Sequence, residues 1–189
     1  IEGAEYLTPY INAEKSAVFI GAHLANFEVA QASMFLQLGL PIDATYRAPN
    51  NPYSHTMLNK ARTLDGQLNA HAKSQAGGRS LMKAVKGGSN VGIMIDQKYN
   101  EGLSVPFFGR NAMTNPVWVQ LAQKYERDII PVRVVRDDGP HLRVILYPPL
   151  EFEKDEPVEN VMQRANIVLE EWIKEKPSQW LWLHRRWKD

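Results

Sequence analysis

Residues 16–38 read SAVFIGAHLANFEVAQASMFLQL, and their pattern decides the fold class. Residues 16–21 (SAVFIG) form a short apolar run with β-branched and aromatic side chains, which predicts a buried strand. Residues 26–38 carry apolar side chains at helical spacing and stop before Gly39 and Pro41, which predicts a helix. A buried strand followed by a helix is the repeating unit of α/β proteins.

The rest of the chain continues this alternation. Further strands are predicted at residues 42–47, 90–96, 128–135 and 141–146. Further helices are predicted at residues 52–61, 78–86, 114–124 and 158–174. The turn sequence Asp137-Asp138-Gly139-Pro140 joins the last two strands closely. We therefore expect one α/β domain over residues 1–189, with a largely parallel central sheet flanked by helices and an antiparallel hairpin near its C-terminal edge.

Composition excludes several classes of function. The 22 basic and 21 acidic residues leave a net charge of +1, which gives no general basic field for nucleic acid. Cysteine is absent, which excludes disulfides, thiolate metal ligands and a cysteine nucleophile. No apolar run reaches the roughly 18–20 residues that span a bilayer. The chain begins at Ile1 rather than methionine, which leaves room for an upstream membrane anchor.

A histidine and a glutamate flank the first predicted strand–helix junction. On one continuous helix, His23 and Glu28 would lie about 140° apart and would not meet. They meet if His23 lies in the loop and Glu28 in the first helical turn, with Asn26 as N-cap. The carboxylate would then hold one imidazole nitrogen and leave the other as a base. A structural histidine, beside a glutamate that complements the helix dipole, fits the spacing as well.

Other polar residues follow predicted strands. Like His23, Arg47 and Asp96 lie at or just past strand ends, the edge where α/β sheets bind ligands. Arg47 suits a phosphate, whereas the asparagines and proline that follow it (Asn50, Asn51 and Pro52) also fit a plain turn. Asp96, followed by Gln97, is also suited to pairing with an arginine that orders the loop.

Several segments together resemble a known family. GAHLANFE (residues 21–28) is similar to the His-x4-Asp/Glu box of the lysophospholipid/glycerolipid acyltransferase superfamily. More closely, the chain resembles the lipid A biosynthesis (late) acyltransferases of Gram-negative bacteria. The similar segments occur in the family's order: TYRAPNNP (45–52), GRSLMKAV (78–85), IDQ (95–97), VPFFG (105–109) and WLWLHRRW (180–187). Ala-Asn-Phe stands inside the box where many relatives have Gly-Asn-Trp, which leaves the pair intact.

The resemblance implies a reaction and a set of roles. His23 would accept the proton of a lipid hydroxyl as it attacks an acyl thioester, and Glu28 would orient the imidazole. Arg62, which otherwise reads as a solvated charge at a helix end, matches a basic active-site residue of the family. Asp96 would support the site rather than react. The donor would be an acyl-carrier-protein thioester or acyl-CoA, used as co-substrate, and no cofactor or metal is implied.

The resemblance also implies a place of action. The acceptor would be a membrane glycolipid, a lipid A precursor. The enzyme would work at the inner membrane, on its cytoplasmic face, either peripherally or through an anchor that lies outside this chain. The partners expected are therefore the acyl carrier protein, the acceptor lipid and the membrane surface, and not nucleic acid.

Three further segments each have two interpretations. Gly77-Gly78-Arg79 fits either an anion-binding loop before a helix or an ordinary turn. Phe107 and Phe108, in a predicted loop, fit either core packing or the lining of an acyl tunnel. The C-terminal segment combines indoles with cations, which suits either a membrane interface or a helix with inward tryptophans and outward charges. Its residues are Trp180, Trp182, His184, Arg185, Arg186, Trp187 and Lys188.

Three other functions remain open at the level of sequence. First, a family member with the same His-x4-Asp/Glu box can use a different lipid hydroxyl as its acceptor. Hydrolysis of the thioester would use water instead of a lipid, although the chain lacks both the Gly-x-Ser-x-Gly elbow and a cysteine. A non-catalytic lipid-binding domain would use the same apolar groove without turnover.

Overall fold

The computed structural model describes residues 1–182 and 185–187. In these residues the α-helices are α1 (Thr8–Ile11), α2 (Val29–Leu38), α3 (Pro52–Arg62), α4 (Gln75–Lys86), α5 (Val117–Tyr125) and α6 (Val158–Glu175). The strands are β1 (Ala17–Gly21), β2 (Ile42–Tyr46), β3 (Ala70–Ala72), β4 (Asn90–Met94), β5 (Leu103–Phe107), β6 (Arg110–Thr114), β7 (Asp128–Arg136) and β8 (Leu142–Leu146). Short 3-10 helices lie at Ala4–Leu7 and Pro177–Gln179.

Six strands form the central sheet, in the order β3-β2-β4-β1-β7-β8. The first five are parallel to one another, and β8 pairs antiparallel with β7 at the edge. A separate antiparallel hairpin is formed by β5 and β6. The predicted α/β class, the mainly parallel sheet and the C-terminal edge hairpin are confirmed.

Both faces of the sheet are covered, which explains the continuous apolar run of β1. Val18 and Ile20 point into one hydrophobic core, which also contains buried residues of α4, α5 and α6. Ala17 and Phe19 point into the second core, which contains Met34 of α2 and residues of β7 and β8. All five residues of β1 are buried, as expected for a parallel strand with helices on both sides. Within the described residues, no helix has the length and apolar character needed to cross a bilayer.

The helix after β1 begins later than predicted. The sequence indicates a start at Asn26, but α2 begins at Val29, and Glu28 occupies the N-cap position without a side-chain cap. Residues 22–28 instead form an irregular turn in which Ala25 adopts a φ of 49°. The Asn26 side chain does not cap the helix; the backbone carbonyl oxygen of Asn26 accepts a hydrogen bond from the Val29 amide at 3.1 Å.

The fourth helix begins earlier than predicted. Ser74 caps α4 by accepting a hydrogen bond from the Gly77 amide at 3.1 Å, so Gly77 and Gly78 lie inside the helix. A Cβ at Gly77 would lie 1.8 Å from the carbonyl oxygen of Ala72, so the glycine lets α4 pack tightly on β3. The anion-binding loop considered for this segment is therefore wrong, and Arg79 is an exposed helical residue.

Candidate active site

Polar side chains stand one or two residues past the carboxyl ends of four neighbouring strands. His23 follows β1, Arg47 follows β2, Lys73 follows β3 and Asp96 follows β4. The order β3-β2-β4-β1 sets these four strand ends side by side. A cavity of about 270 Å³ is lined by three of these residues, His23, Arg47 and Lys73. This is the edge at which open α/β sheets bind their ligands.

The cavity has a polar edge and an apolar interior. Its charged and histidine lining consists of His23, Glu28, Arg47, Arg62 and Lys73. Its apolar walls come from α2 and from the side of the sheet that faces α2, and they include Phe19, Met34, Ile42, Val132 and Val134. An apolar recess beside a few polar groups is suited to a ligand with one reactive end and one hydrocarbon end.

The imidazole of His23 is held by Asp96. Its Nδ1 lies 2.7 Å from Asp96 Oδ1, and the His23 backbone N–H donates to Asp96 Oδ2 at 3.1 Å. Phe27 packs edge-on against the imidazole, with ring centroids 4.7 Å apart. When Nδ1 donates to the carboxylate, the lone pair of the neutral imidazole lies on Nε2, which has no hydrogen-bond partner among the described residues. His23 therefore presents an oriented base.

Asp96 is a buried carboxylate with three hydrogen-bond donors. The residue is only 2% exposed, and Trp180 Nε1 donates to Oδ2 at 3.0 Å in addition to the two bonds from His23. Burial raises the pKa of Asp96, but the hydrogen bonds and charge of His23 and the bond from Trp180 outweigh that effect and hold the pKa below its usual range. The negative charge needed to orient the imidazole is thus kept.

The structure corrects the predicted role of Glu28. The sequence indicates a bond between Glu28 and His23, but the Glu28 carboxylate instead accepts from Arg62 Nη2 at 2.6 Å and from Arg62 Nε at 3.0 Å. His23 and Glu28 line the same cavity without pairing. The carboxylate that orients His23 is Asp96, the residue that the sequence suggested would pair with an arginine.

The C-terminal segment explains why His23 turns toward β4. The Leu181 amide donates to the His23 carbonyl at 2.8 Å, and the Ala25 amide donates to the Gln179 carbonyl at 2.8 Å. These bonds fix the irregular turn after β1. Its backbone therefore directs His23 toward the end of β4, while Glu28 enters α2 on the side that faces Arg62.

Arg62 is fixed by Glu28 and by an aromatic ring. Its guanidinium carbon lies 5.3 Å from the ring centroid of Tyr46, and the Tyr46 hydroxyl is 2.9 Å from His55 Nε2. The hydrogen bonds to Glu28 raise the pKa of Arg62 more than its burial lowers it. Arg62 Nη1 is buried without a hydrogen-bond partner in the described part of the chain. One donor of an immobilised cation therefore remains for a ligand.

Arg47 and Lys73 form a pair of cations at the polar edge. Tyr46 and Ala72 are paired in the parallel register of β2 and β3, so the next residues, Arg47 and Lys73, are neighbours as well. Their side chains form no hydrogen bond or ion pair with other residues that the structure describes. Desolvation lowers the pKa of Lys73; nearby Asp96 raises it, and Arg47 lowers it again. Two adjacent, unpaired cations favour an anionic ligand.

A sequence model of the family described as bacterial lipid A biosynthesis acyltransferase matches residues 1–189, the whole chain. The chain belongs to this family. It is 28% identical over 194 residues to the lipid A biosynthesis palmitoleoyltransferase of Escherichia coli strain K12, covering all of this chain and 61% of that protein. It is 26% identical over 191 residues to the lauroyltransferase of the same strain, covering 98% of this chain and 60% of that protein.

A third relative is the lipid A biosynthesis acyltransferase of Haemophilus influenzae, at 24% identity over 193 residues, covering all of this chain and 60% of that protein. The chain thus spans about three-fifths of the length of these relatives. The resemblance inferred from the ordered segments of the sequence is confirmed at the level of the family.

Some of the candidate site residues that the sequence suggested do not reach the cavity. Gln97 lines it, as Arg47 and Arg62 do. Asn26, Asn50 and Arg79 are exposed and outside its lining. Asn51, which the sequence placed in a turn, is the N-cap of α3, where its side chain accepts hydrogen bonds from the Tyr53 and Ser54 amides.

Phe107 and Phe108 belong to the core and not to the cavity of this acyltransferase-family chain. They lie at the end of β5 and in the tight turn before β6, where the sequence indicated a loop. Phe107 is fully buried and stacks on Trp187, and Phe108 packs on the same core. Of the two interpretations, core packing is the one observed, and neither residue lines the cavity, whose apolar walls come from α2 and the central sheet.

The C-terminal segment contributes Trp180 to the site, through its bond to Asp96. The helix of the second interpretation is wrong, since residues 180–182 and 185–187 are not helical; Trp180 and Trp187 nevertheless pack inward, whereas Trp182 is 59% exposed. Arg186 is not outward: it is buried and donates to Met113 O and Thr114 Oγ1, and burial lowers its pKa to about 10. His184 and Lys188 lie outside the described residues.

Sequence reasoning missed three residues of the site. Lys73 follows a strand of only three residues, which no pattern in the sequence signals. Trp180 reaches Asp96 from 84 positions away, and Tyr46 is placed by contacts with α3. Recognition of β3 would have placed Lys73 beside Arg47. Among the residues described, no group of three or more His, Asp or Glu side chains is arranged to hold a metal ion.

Proposed function

We propose that this chain transfers a fatty-acyl group from an acyl-carrier-protein thioester to a hydroxyl of a lipid A precursor. The observation that carries the proposal is the His23 imidazole, held at Nδ1 by buried Asp96, with Nε2 unpaired at the polar edge of an apolar cavity. The names of the relatives, which are lipid A palmitoleoyl- and lauroyltransferases, support the choice of reaction and acceptor.

His23 acts as the general base in this reaction. Nε2 takes the proton of the lipid hydroxyl while the hydroxyl oxygen bonds to the thioester carbonyl carbon. The tetrahedral intermediate then breaks its C–S bond, and the imidazolium returns the proton to the departing thiolate. Asp96 holds the imidazole in the reactive tautomer and stabilises its positive charge. No covalent acyl-enzyme is formed, since the nucleophile belongs to the acceptor.

Arg62 stabilises the negative charge that develops on the thioester oxygen. Its Nη1 is a buried donor without a partner, and Glu28 fixes the guanidinium through Nε and Nη2. A donor held in place before the reaction needs no reorganisation at the transition state. In this account Glu28 is a positioning residue that acts through Arg62.

Arg47 and Lys73 bind a phosphate of the acceptor head group. A lipid A precursor is a phosphorylated disaccharide lipid, and two adjacent cations complement a phosphate monoester better than one. The apolar walls around Met34 and Val132 receive the acyl chain of the donor. The acceptor lies in the inner membrane, so the chain works at the cytoplasmic surface of that membrane, where the acyl carrier protein delivers its thioester.

The experiment is an acyl-transfer assay with two matched histidine variants. The parent, His23→Gln and His71→Gln are incubated with an acyl-carrier-protein thioester and a phosphorylated disaccharide lipid. The acylated products are identified and quantified by mass spectrometry. His71 is a suitable control because it also pairs with a buried aspartate, Asp43, at 3.1 Å, but outside the cavity. We expect His23→Gln to lose about 10²–10⁴-fold of kcat and His71→Gln to lose far less.

The same assay separates transfer from the other functions. The proposal is supported if the parent acylates the disaccharide lipid and consumes the thioester only when that lipid is present. Release of free fatty acid at a rate that does not depend on the acceptor would identify a thioester hydrolase. Acylation of a different lipid would change the acceptor and not the chemistry. Lipid binding without any product, unchanged in His23→Gln, would identify a binding domain.

A further inference from the structure

The helix at the cavity edge has its polar side inward. The inward residues of α3 include His55, which bonds to Tyr46, and Arg62, which bonds to Glu28. No residue of α3 is fully buried, and none belongs to either hydrophobic core of the described chain. The helix is therefore attached to the domain mainly by polar contacts, the reverse of an ordinary amphipathic helix.

The outward side of α3 carries its most exposed apolar groups. Tyr53 is 86% exposed and Met57 is 66% exposed, and they are one helical turn apart. Ala61 continues the same stripe, and Thr56 and Lys60 flank it; all three are exposed. Large apolar side chains in contiguous, exposed positions indicate a surface that contacts another apolar phase.

The charges around this stripe indicate that the apolar phase it contacts has a negatively charged surface. Residues 52–62 contain Lys60 and Arg62 and no aspartate or glutamate; since Arg62 is inward and paired with Glu28, Lys60 is the outward cation of the helix. The unpaired cations Arg47 and Lys73 lie at the cavity edge that Arg62 also lines. The surface around α3 therefore complements an anionic partner, and it is continuous with the site where the acceptor would react.

We propose that α3 docks the enzyme on an anionic lipid bilayer, with Tyr53 and Met57 inserted among the lipid head groups and Lys60 on their phosphates. This inference rests on the proposed function, because it orients the cavity edge toward the bilayer that holds the acceptor. Tyrosine suits the head-group region, since its ring is apolar and its hydroxyl remains hydrated. A helix lying in the plane of the interface needs only a narrow apolar stripe beside cations.

A bilayer fits the stripe better than a protein partner does. Two side chains on an 11-residue helix offer far less than the roughly 1,200 Å² of a stable protein–protein interface. An acidic carrier protein would pair with Lys60 but would leave Tyr53 and Met57 unused. The two types of partner make different predictions, because removal of the apolar pair affects lipid binding alone.

The test is sedimentation with vesicles of phosphatidylethanolamine and phosphatidylglycerol. The parent is compared with the double variant Tyr53→Ser/Met57→Ser and with Leu36→Ser/Ile167→Ser. The second variant is the matched control, since Leu36 and Ile167 are 69% and 49% exposed on other helices. Because the head-group region buries Tyr53 and Met57 only in part, their combined loss amounts to roughly the transfer free energy of one fully buried large apolar side chain. This predicts at least about a tenfold fall in the partition coefficient for the first variant only.

Activity provides a second readout. Tyr53→Ser/Met57→Ser is expected to keep the parent's rate on acceptor dispersed singly in detergent and to lose rate on acceptor embedded in vesicles. Lys60→Glu is expected to weaken partition into phosphatidylglycerol vesicles more than into phosphatidylcholine vesicles.

Several results would overturn the inference. One is a parent chain that does not partition into vesicles, and another is a double variant that partitions as the parent does. A third is unchanged partition together with a higher KM for the carrier thioester, which would assign the stripe to a protein partner. A parent without transfer activity on dispersed acceptor would refute the proposed function, whereas the partition data would still decide the role of α3.

Discussion

Asp96→Asn replaces one carboxylate oxygen with an NH2 group, and the structure predicts which one. Asp96 Oδ2 accepts two bonds, from the His23 backbone at 3.1 Å and Trp180 Nε1 at 3.0 Å, and neither donor is able to become an acceptor. The amide oxygen therefore takes the place of Oδ2, and the NH2 group takes the place of Oδ1. It then faces His23 Nδ1, which lay 2.7 Å from the carboxylate.

Two donors cannot share that contact, so the imidazole changes its tautomer. Nδ1 becomes the acceptor, and the hydrogen moves to Nε2, where it blocks the lone pair that takes the hydroxyl proton in the proposed mechanism. The negative charge that stabilises the imidazolium is lost at the same time. We expect kcat to fall by the contribution of a general base, about 10²–10⁴-fold, which corresponds to about 3–5 kcal/mol of transition-state stabilisation.

The assay is the initial rate of transfer from a labelled acyl-carrier-protein thioester to the disaccharide lipid, with kcat and KM separated. Asp43→Asn is the matched control, because Asp43 holds His71 in a buried pair outside the cavity. Thermal unfolding of both variants shows that they remain folded. A folded Asp96→Asn protein with a kcat close to the parent's would refute the tautomer argument. An equal loss in Asp43→Asn would show that the effect is structural.

Three further predictions concern the groups around this pair. Trp180→Phe removes a donor from Asp96, so the pKa of Asp96 rises; carbon-13 NMR titration of the Asp96 carboxyl measures this pKa, and an unmoved value would contradict the prediction. Arg62→Lys keeps the charge but loses the two-point contact with Glu28, so kcat falls by up to about 10²-fold, and an unchanged kcat would exclude Arg62 from the transition state. Met34→Trp fills the apolar part of the cavity, so product masses from a donor series shift toward shorter acyl chains, whereas an unchanged profile would place the acyl chain elsewhere.

Much of the sheet was predictable, because its inner strands are continuous apolar runs. Ala17–Gly21 is buried along its whole length and Asn90–Met94 at three of its five residues, so their composition alone indicates strands. The polar residues that follow them, His23 and Asp96, were correctly placed at the ligand-binding edge. The sequence could not show that β1 and β4 are neighbours, and that adjacency is what brings Asp96 to His23 across 73 positions.

The box of His23 and Glu28 illustrates the limit of spacing as evidence. Its two residues do reach one cavity, as the pattern predicts. Their hydrogen-bond partners are set by elements remote in sequence, namely Asp96 at the end of β4 and Arg62 at the end of α3. A spacing rule reports proximity along the chain, whereas pairing depends on how the irregular turn is tied to the C-terminal segment.

The second hairpin was missed for a local reason. Phe108 and Gly109 connect β5 to β6 with φ values of 51° and 71°. Such two-residue turns usually contain Asn-Gly or Asp-Gly, since a large side chain disfavours positive φ. Pro106 within β5 weakens the strand signal further. Phe107 therefore reads as part of a loop in the sequence, although burial against Trp187 fixes it in the core.

Nitrogen-15 NMR of the His23 side chain, assigned by its disappearance in His23→Gln, tests the central claim most directly. We predict that in the neutral imidazole Nδ1 carries the hydrogen, coupled to the Asp96 carboxylate, and that Nε2 shows the shift of an unprotonated nitrogen. The hydrogen found on Nε2 instead would leave no base for the acceptor hydroxyl and would contradict the account.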